Sequence, residues 1–119
     1  MNLSTVLIGS EDPKRLADYY TKLFGKPTTE EDGGWASWKI GNTSIAVGPH
    51  DQIKGKNPQP GRILLNVESG DVKGDFARLQ AAGAKVVREP YRMEGWPPNT
   101  WVATLADPDD NYFQLVSPM

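Results

Sequence analysis

The chain has no cysteine. That excludes a disulfide frame, a thiolate nucleophile and a zinc–thiolate centre. It has one histidine, His50, so a single chain cannot assemble a site that needs two imidazoles, such as the non-heme iron triad. No apolar run approaches the ~20 residues that a membrane helix requires. Met1 leads into a strand-like segment, without the basic and apolar regions of a secretion signal. Neither sign of charge dominates: 13 Lys and Arg face 15 Asp and Glu, interspersed, for a net charge of −2. Nothing in that balance marks a nucleic-acid or anionic-membrane surface. A Gly-rich phosphate loop, a Ser-His-Asp set and a HExxH helix are all missing. The expectation is a cytoplasmic protein with neither nucleic acid nor membrane as partner.

What the sequence does have is turn formers and an internal echo. Ten prolines and twelve glycines in 119 residues imply many turns within one compact domain, residues 1–119. The tail Asn111-Tyr112-Phe113-Gln114-Leu115-Val116-Ser117-Pro118 repeats, without a gap, Asn42-Thr43-Ser44-Ile45-Ala46-Val47-Gly48-Pro49. Each stretch closes a half of similar layout. Residues 3–9 read as a strand. Asp12 and Pro13 read as helix cap and first helical residue. Leu16, Tyr19, Tyr20, Leu23 and Phe24 form an apolar stripe, stopped by Gly25. Residues 26–31, 35–40 and 43–47 read as three strands. After a polar connector, residues 50–61, the pattern returns. A strand at 62–67 precedes a helix capped by Asp71, with Val72, Phe76 and Leu79 on one face and Gly83 at its end. Strands then fall at 84–88, 100–106 and 112–117, with a loop over 89–99.

Both halves therefore read βαβββ, as module one (1–50) and module two (62–119). Neither is large enough to close a core alone. The predicted fold is α+β: two βαβββ modules in a curled mixed β-sheet cup, helices outside. Strand alternation puts Val6 and Ile8 toward a helix and Thr5, Leu7 and Gly9 toward the cup. In the second half, Arg62, Leu64 and Asn66, and then Tyr112, Gln114 and Val116, face the cup. The repeat equates Ile45 with Gln114. The alternation leaves the facing of Trp35, Trp38 and Trp101 open.

These features resemble the vicinal oxygen chelate superfamily of glyoxalase I, bleomycin-resistance proteins and extradiol dioxygenases, over nearly the whole chain. The resemblance is carried by Asp12-Pro13, Leu16-Ala17-Asp18-Tyr19-Tyr20, Leu23-Phe24-Gly25 and Leu79-Gln80-Ala81-Ala82-Gly83-Ala84. Its most specific piece is the turn and final strand Asp107-Pro108-Asp109-Asp110-Asn111-Tyr112-Phe113-Gln114-Leu115, where Asp110 replaces the usual glycine. The resemblance implies four inward metal-ligand positions. Here they fall on Thr5, Ile45, Arg62 and Gln114. Arginine is a fixed cation with no lone pair to give, and isoleucine has no donor. The resemblance thus implies the fold while the residues argue against its metal chemistry, so no metal and no cofactor are expected.

Candidate ligand-binding residues are Thr5, Ile45, Arg62, Asn66, Trp96, Trp101, Tyr112 and Gln114. Arg62 reads as an anion clamp at the cup floor, or as a rim arginine paired with a carboxylate. Asn66 and Gln114 read as amides that orient a polar ligand, or that satisfy one another. Trp96, in the loop 93–98, reads as part of a lid over the cup, or as a staple holding that loop. His50 reads as an exposed loop residue. The expected function is metal-independent binding of a small molecule, aromatic or amphipathic, by a homodimer. The alternative is a metal-free lyase or isomerase using Arg62 to stabilise an oxyanion. A metal-dependent lactoylglutathione lyase or dioxygenase ranks last.

Overall fold

The computed structural model describes residues 1–92 and 94–118. The chain divides into two compact units, Met1–Lys56 and Asn57–Met119. The polar connector is thus shared out: residues 50–56 fold with the first unit and 57–61 with the second.

The first unit runs β1 (Thr5–Ser10), α1 (Pro13–Phe24), β2 (Thr29–Glu31), β3 (Trp35–Ile40) and β4 (Thr43–Pro49). Its sheet has the order β1-β4-β3-β2, with β1 parallel to β4 and the other pairs antiparallel. The second unit opens with a 3-10 turn, Pro60–Arg62. It continues as β5 (Leu65–Glu68), α2 (Val72–Ala81), β6 (Lys85–Arg92), β7 (Trp101–Ala106) and β8 (Tyr112–Val116), in the order β5-β8-β7-β6. Again the first strand is parallel to the last, β5 to β8, and the rest are antiparallel. The fold is α+β, two βαβββ modules with two four-stranded mixed sheets, as expected.

Both helices start from one device. Asp12 Oδ1 accepts from the Arg15 backbone N–H at 3.2 Å, and Asp71 Oδ1 from that of Gly74 at 3.0 Å. Two residues ahead of each cap is a buried serine. Its Oγ accepts the cap's own backbone N–H: Ser10 from Asp12 at 3.0 Å, Ser69 from Asp71 at 3.1 Å. Four backbone donors are satisfied in this way at the strand-to-helix corners. Gly74, poor inside a helix, fits here because a Cβ would collide with the Asp71 carboxylate.

Each helix then covers one face of its own sheet. Leu16, Tyr20 and Leu23 of α1 are buried with Ala36, Trp38, Ile45 and Val47. Tyr20 lies 5.9 Å from the Trp38 ring, whose Nε1 donates to the Gly25 carbonyl at 2.9 Å. Val72, Phe76 and Leu79 of α2 are buried with Ala103, Leu105, Phe113 and Leu115. Burying a leucine such as Leu16 or Leu79 contributes about 1.5–3 kcal/mol.

The boundaries of β2, β5 and β6 differ from expectation, β2 beginning only at Thr29. β6 runs on to Arg92 through residues expected to form loop, including Pro90. Register shifts separate Val86 from Arg88 and Arg88 from Tyr91. A proline is tolerated because β6 is an edge strand, with one side of its ladder unpaired. β5 begins only at Leu65, because Pro60 starts a 3-10 turn that takes up Arg62.

The turn from β7 to β8 is organised by Asp107, whose residue exposure is 0%. Its Oδ1 accepts from the backbone N–H groups of Asp109 at 2.9 Å and Asn111 at 3.0 Å, and its Oδ2 from Asn111 Nδ2 at 2.9 Å. Asp110 holds the left-handed φ of 61° that a glycine would take without strain, and its carboxylate pairs with Lys85 at 2.7 Å. Asp107→Ala leaves several donors without an acceptor at a site closed to water. Each such orphan costs about 1–3 kcal/mol. The expected outcome is a loss of at least ~2 kcal/mol, read as a lower urea midpoint at unchanged slope.

Candidate functional site

A helix on one face leaves the other face of each sheet free of helix, and the pairing registers assign every side chain to one or the other. In the first unit Val6 pairs with Ile45, and Ile45 with Trp38. That row carries buried Trp38 and lies under α1. The residues between form the helix-free face, in three rows. Thr5, Ser44 and Lys39 make the first. Leu7, Ala46, Ser37 and Thr29 make the second. Gly9, Gly48, Trp35 and Glu31 make the third.

This face is built of small residues with two large apolar ones standing out of it. Leu7 is 55% exposed and Trp35 40%. The Trp35 ring occupies the space where a side chain on Gly48 would be, so the indole lies against bare backbone. Beyond it, His50 and Ile53 fold over Gly9, whose lack of a side chain admits them. The Gly55 backbone N–H, donating to Glu11 Oε1 at 2.8 Å, ties down the end of that turn. A ring lying flat against Gly48 is a stacking platform, with one aromatic face held by the sheet.

The second unit presents a polar face. Asn66 pairs with Gln114, Gln114 with Thr104, and Thr104 with Arg88, one row across all four strands. Gln114 Nε2 donates to Thr104 Oγ1 at 3.1 Å. The next row holds Glu68, Val116, Val102 and Tyr91. Across the two rows the Arg88 guanidinium carbon lies 3.6 Å from the Tyr91 ring centre. Such stacking contributes about 0.5–1 kcal/mol at an exposed site and fixes the plane of the guanidinium. Tyr112, Ala106 and Lys85 form a third row. The hydrogen bond from Lys85 to Asp110, and the charge of Asp110, push the lysine above its ordinary range, so it stays protonated and paired at neutral pH.

Thr5, Asn66, Tyr112 and Gln114 therefore stand on helix-free faces. Ile45 does not. It is 7% exposed and sits beneath α1, because the echo that equated it with Gln114 is one residue out of phase. Ala46 opposite Leu7 corresponds to Gln114 opposite Asn66. Trp101, whose facing the alternation leaves open, is on the α2 face, with Lys73 Nζ 3.7 Å from its ring centre. Arg62 precedes the strand, exposed, with its Nε donating to Gln59 Oε1 at 2.9 Å. It is not a residue of the sheet. The matching Ser-x-Asp corners equate Thr5 with Leu64 instead. Trp96 is half-buried in the loop after β6, and Met93, expected beside it in a lid, lies outside the described residues. Trp35, Thr104, Arg88 and Tyr91 were not singled out from the sequence. For Trp35, the Ala36/Trp38 alternation of buried positions carried the signal. For Arg88 and Tyr91, the bulges erased it.

On the helix-free faces, β1 and β4 offer only hydroxyl and apolar side chains, Thr5 and Ser44 being the polar ones. Among the described residues no three His, Asp or Glu side chains gather as ligands.

Gly48→Ala is expected to push the Trp35 indole off the sheet while leaving Trp38 in place. In a spectrum of the four indole N–H groups, the Trp35 resonance should move most and Trp38 least.

A model of the glyoxalase-like domain matches residues 5–116. No curated protein matches. A solved structure described as a glyoxalase/bleomycin resistance protein/dioxygenase family enzyme from Burkholderia phytofirmans PsJN is 20% identical, covering 100% of both chains with a TM-score of 0.76. TnmS3, an antibiotic binding protein from Streptomyces sp. CB03234, is 24% identical over 100% of this chain and 97% of its own, with a TM-score of 0.72. A lactoylglutathione lyase from Agrobacterium tumefaciens is 17% identical over 98% and 92%, with a TM-score of 0.71. At these identities the likeness is one of fold.

Proposed function

The chain belongs to the glyoxalase-like domain family, and on that premise we propose that it binds a planar small molecule without a metal ion. The observation that carries this reading is Trp35 lying over Gly48, on a sheet face with Ala46 and Ser37 in the adjoining row. An aromatic ligand laid on that face meets an indole already immobilised, so little conformational entropy opposes stacking. Neighbouring Leu7 supplies apolar area, and Ser44 and Thr5 supply hydroxyls at one end. A structural neighbour named as an antibiotic binding protein supports the class of ligand. Arg62, on a turn and bonded to Gln59, gives no support to an oxyanion role in a lyase or isomerase.

The test is a screen of planar compounds by tryptophan fluorescence, with elemental analysis of the purified protein. Trp35→Ala should weaken every hit about tenfold or more, as the loss of a stacking contact of ~1.5 kcal/mol implies. Chelation should change nothing. Binding that survives Trp35→Ala, or that needs about one equivalent of Zn, Ni, Fe or Mn, would overturn the proposal.

We also propose a homodimer, in which a second copy covers the exposed apolar Ile63 and Leu64, 70% and 41% accessible. Sedimentation at micromolar concentration should give twice the 13.1 kDa chain mass, and Ile63→Lys should return the single-chain species. A wild-type protein sedimenting only as a single chain would refute this.

A further inference from the structure

The second unit's helix-free face carries a recognition element of its own, and we propose that it selects aromatic carboxylates, with Arg88 as the residue that reads the anion. The inference rests on the small-molecule reading above and concerns a ligand met by the second unit's own face.

Two cations from the strands stand on this face. Lys85 is committed to Asp110 at 2.7 Å. Arg88 is exposed, and among the described residues no carboxylate pairs with it; its guanidinium rests on the Tyr91 ring, 3.6 Å away. That contact holds the planar fork without using its N–H donors. A carboxylate can then take two of them side by side, the geometry for which guanidinium is suited.

Arg88 is also the end of a row. Thr104 lies next to it, 6% exposed, and receives the Gln114 amide on its hydroxyl oxygen. This leaves Thr104 with a hydroxyl proton to give, and turns the oxygen of Gln114 into an acceptor. Asn66 completes the row on β5. Strand spacing makes the row about 14 Å long from backbone to backbone, a fused two-ring aromatic plus its substituents. The row therefore reads charge at one end and a donor toward the other: a carboxylate for Arg88, and a hydroxyl or N–H for the Gln114 oxygen. Val102, Val116 and Tyr91 in the adjoining row give the rings an apolar flank.

Three probes separate the parts: 6-hydroxy-2-naphthoate, its neutral carboxamide, and 2-naphthoate without the hydroxyl, each titrated by amide chemical shifts. The wild type should bind the hydroxynaphthoate about tenfold more tightly than the carboxamide, as one charge-assisted contact implies. Arg88→Gln should bring the two within about twofold without weakening the carboxamide. Arg88→Lys should keep part of the preference, and Arg62→Gln all of it. Gln114→Leu should abolish the preference for the hydroxyl alone. Preference for the carboxylate that persists in Arg88→Gln, or disappears in Arg62→Gln, overturns the assignment and leaves the small-molecule reading standing. Failure of all three probes to bind the wild type at millimolar concentration also overturns the assignment, while the small-molecule reading stands or falls on the Trp35 screen.

Discussion

One helix per four-stranded sheet is the constraint on which the rest depends. A sheet has two faces, and α1 or α2 can bury only one of them. On each strand, alternate residues must therefore be apolar and packed, while the others are released from packing against the helix. In the first unit the released set is small, Gly9, Ala46, Gly48 and Ser37, with Trp35 laid across it. In the second it includes a polar row, Asn66, Gln114, Thr104 and Arg88. The same topology, folded twice, yields one stacking surface and one hydrogen-bonding surface, because stability fixes only half of each strand.

Much of this was legible in residues that act locally. Asp12-Pro13 and Asp71 mark helix starts because a carboxylate one residue before the first turn meets its orphan N–H groups. Gly25 marks a stop, and Asp107 to Asn111 a turn, for equally local reasons. These signals need no knowledge of the partner strand. They placed both helices and the strand pairs around Gly41 and Asp109.

Facing was harder, because it is settled by what lies across the sheet. The echo between Asn42–Pro49 and Asn111–Pro118 looked like a register but ran one residue out of phase, since the two-residue turn at Gly41-Asn42 and the longer turn closed by Asp107 enter their strands differently. A slip of one residue exchanges the faces, which is how Ile45 came to be expected opposite its actual side. The corner Ser-x-Asp, at Ser10 and Ser69, is the in-phase marker, and it is only two residues deep. Trp101 could not be placed from its own strand, since β7 is apolar on both faces. Arg88 was hidden for another reason: alternation counts residues, and each bulge adds one that the count does not see.

Those same irregularities bear on how the chain avoids unwanted company. The β6 edge has two breaks in its ladder and, at Pro90, a position with no N–H to offer. An incoming strand from another molecule would find few consecutive groups in register, so sheet-to-sheet extension along this side is blocked. The strand that bears Arg88 can thus stay solvent-facing at high concentration without becoming a template for aggregation. Contacts between copies of the chain have to form elsewhere on the surface.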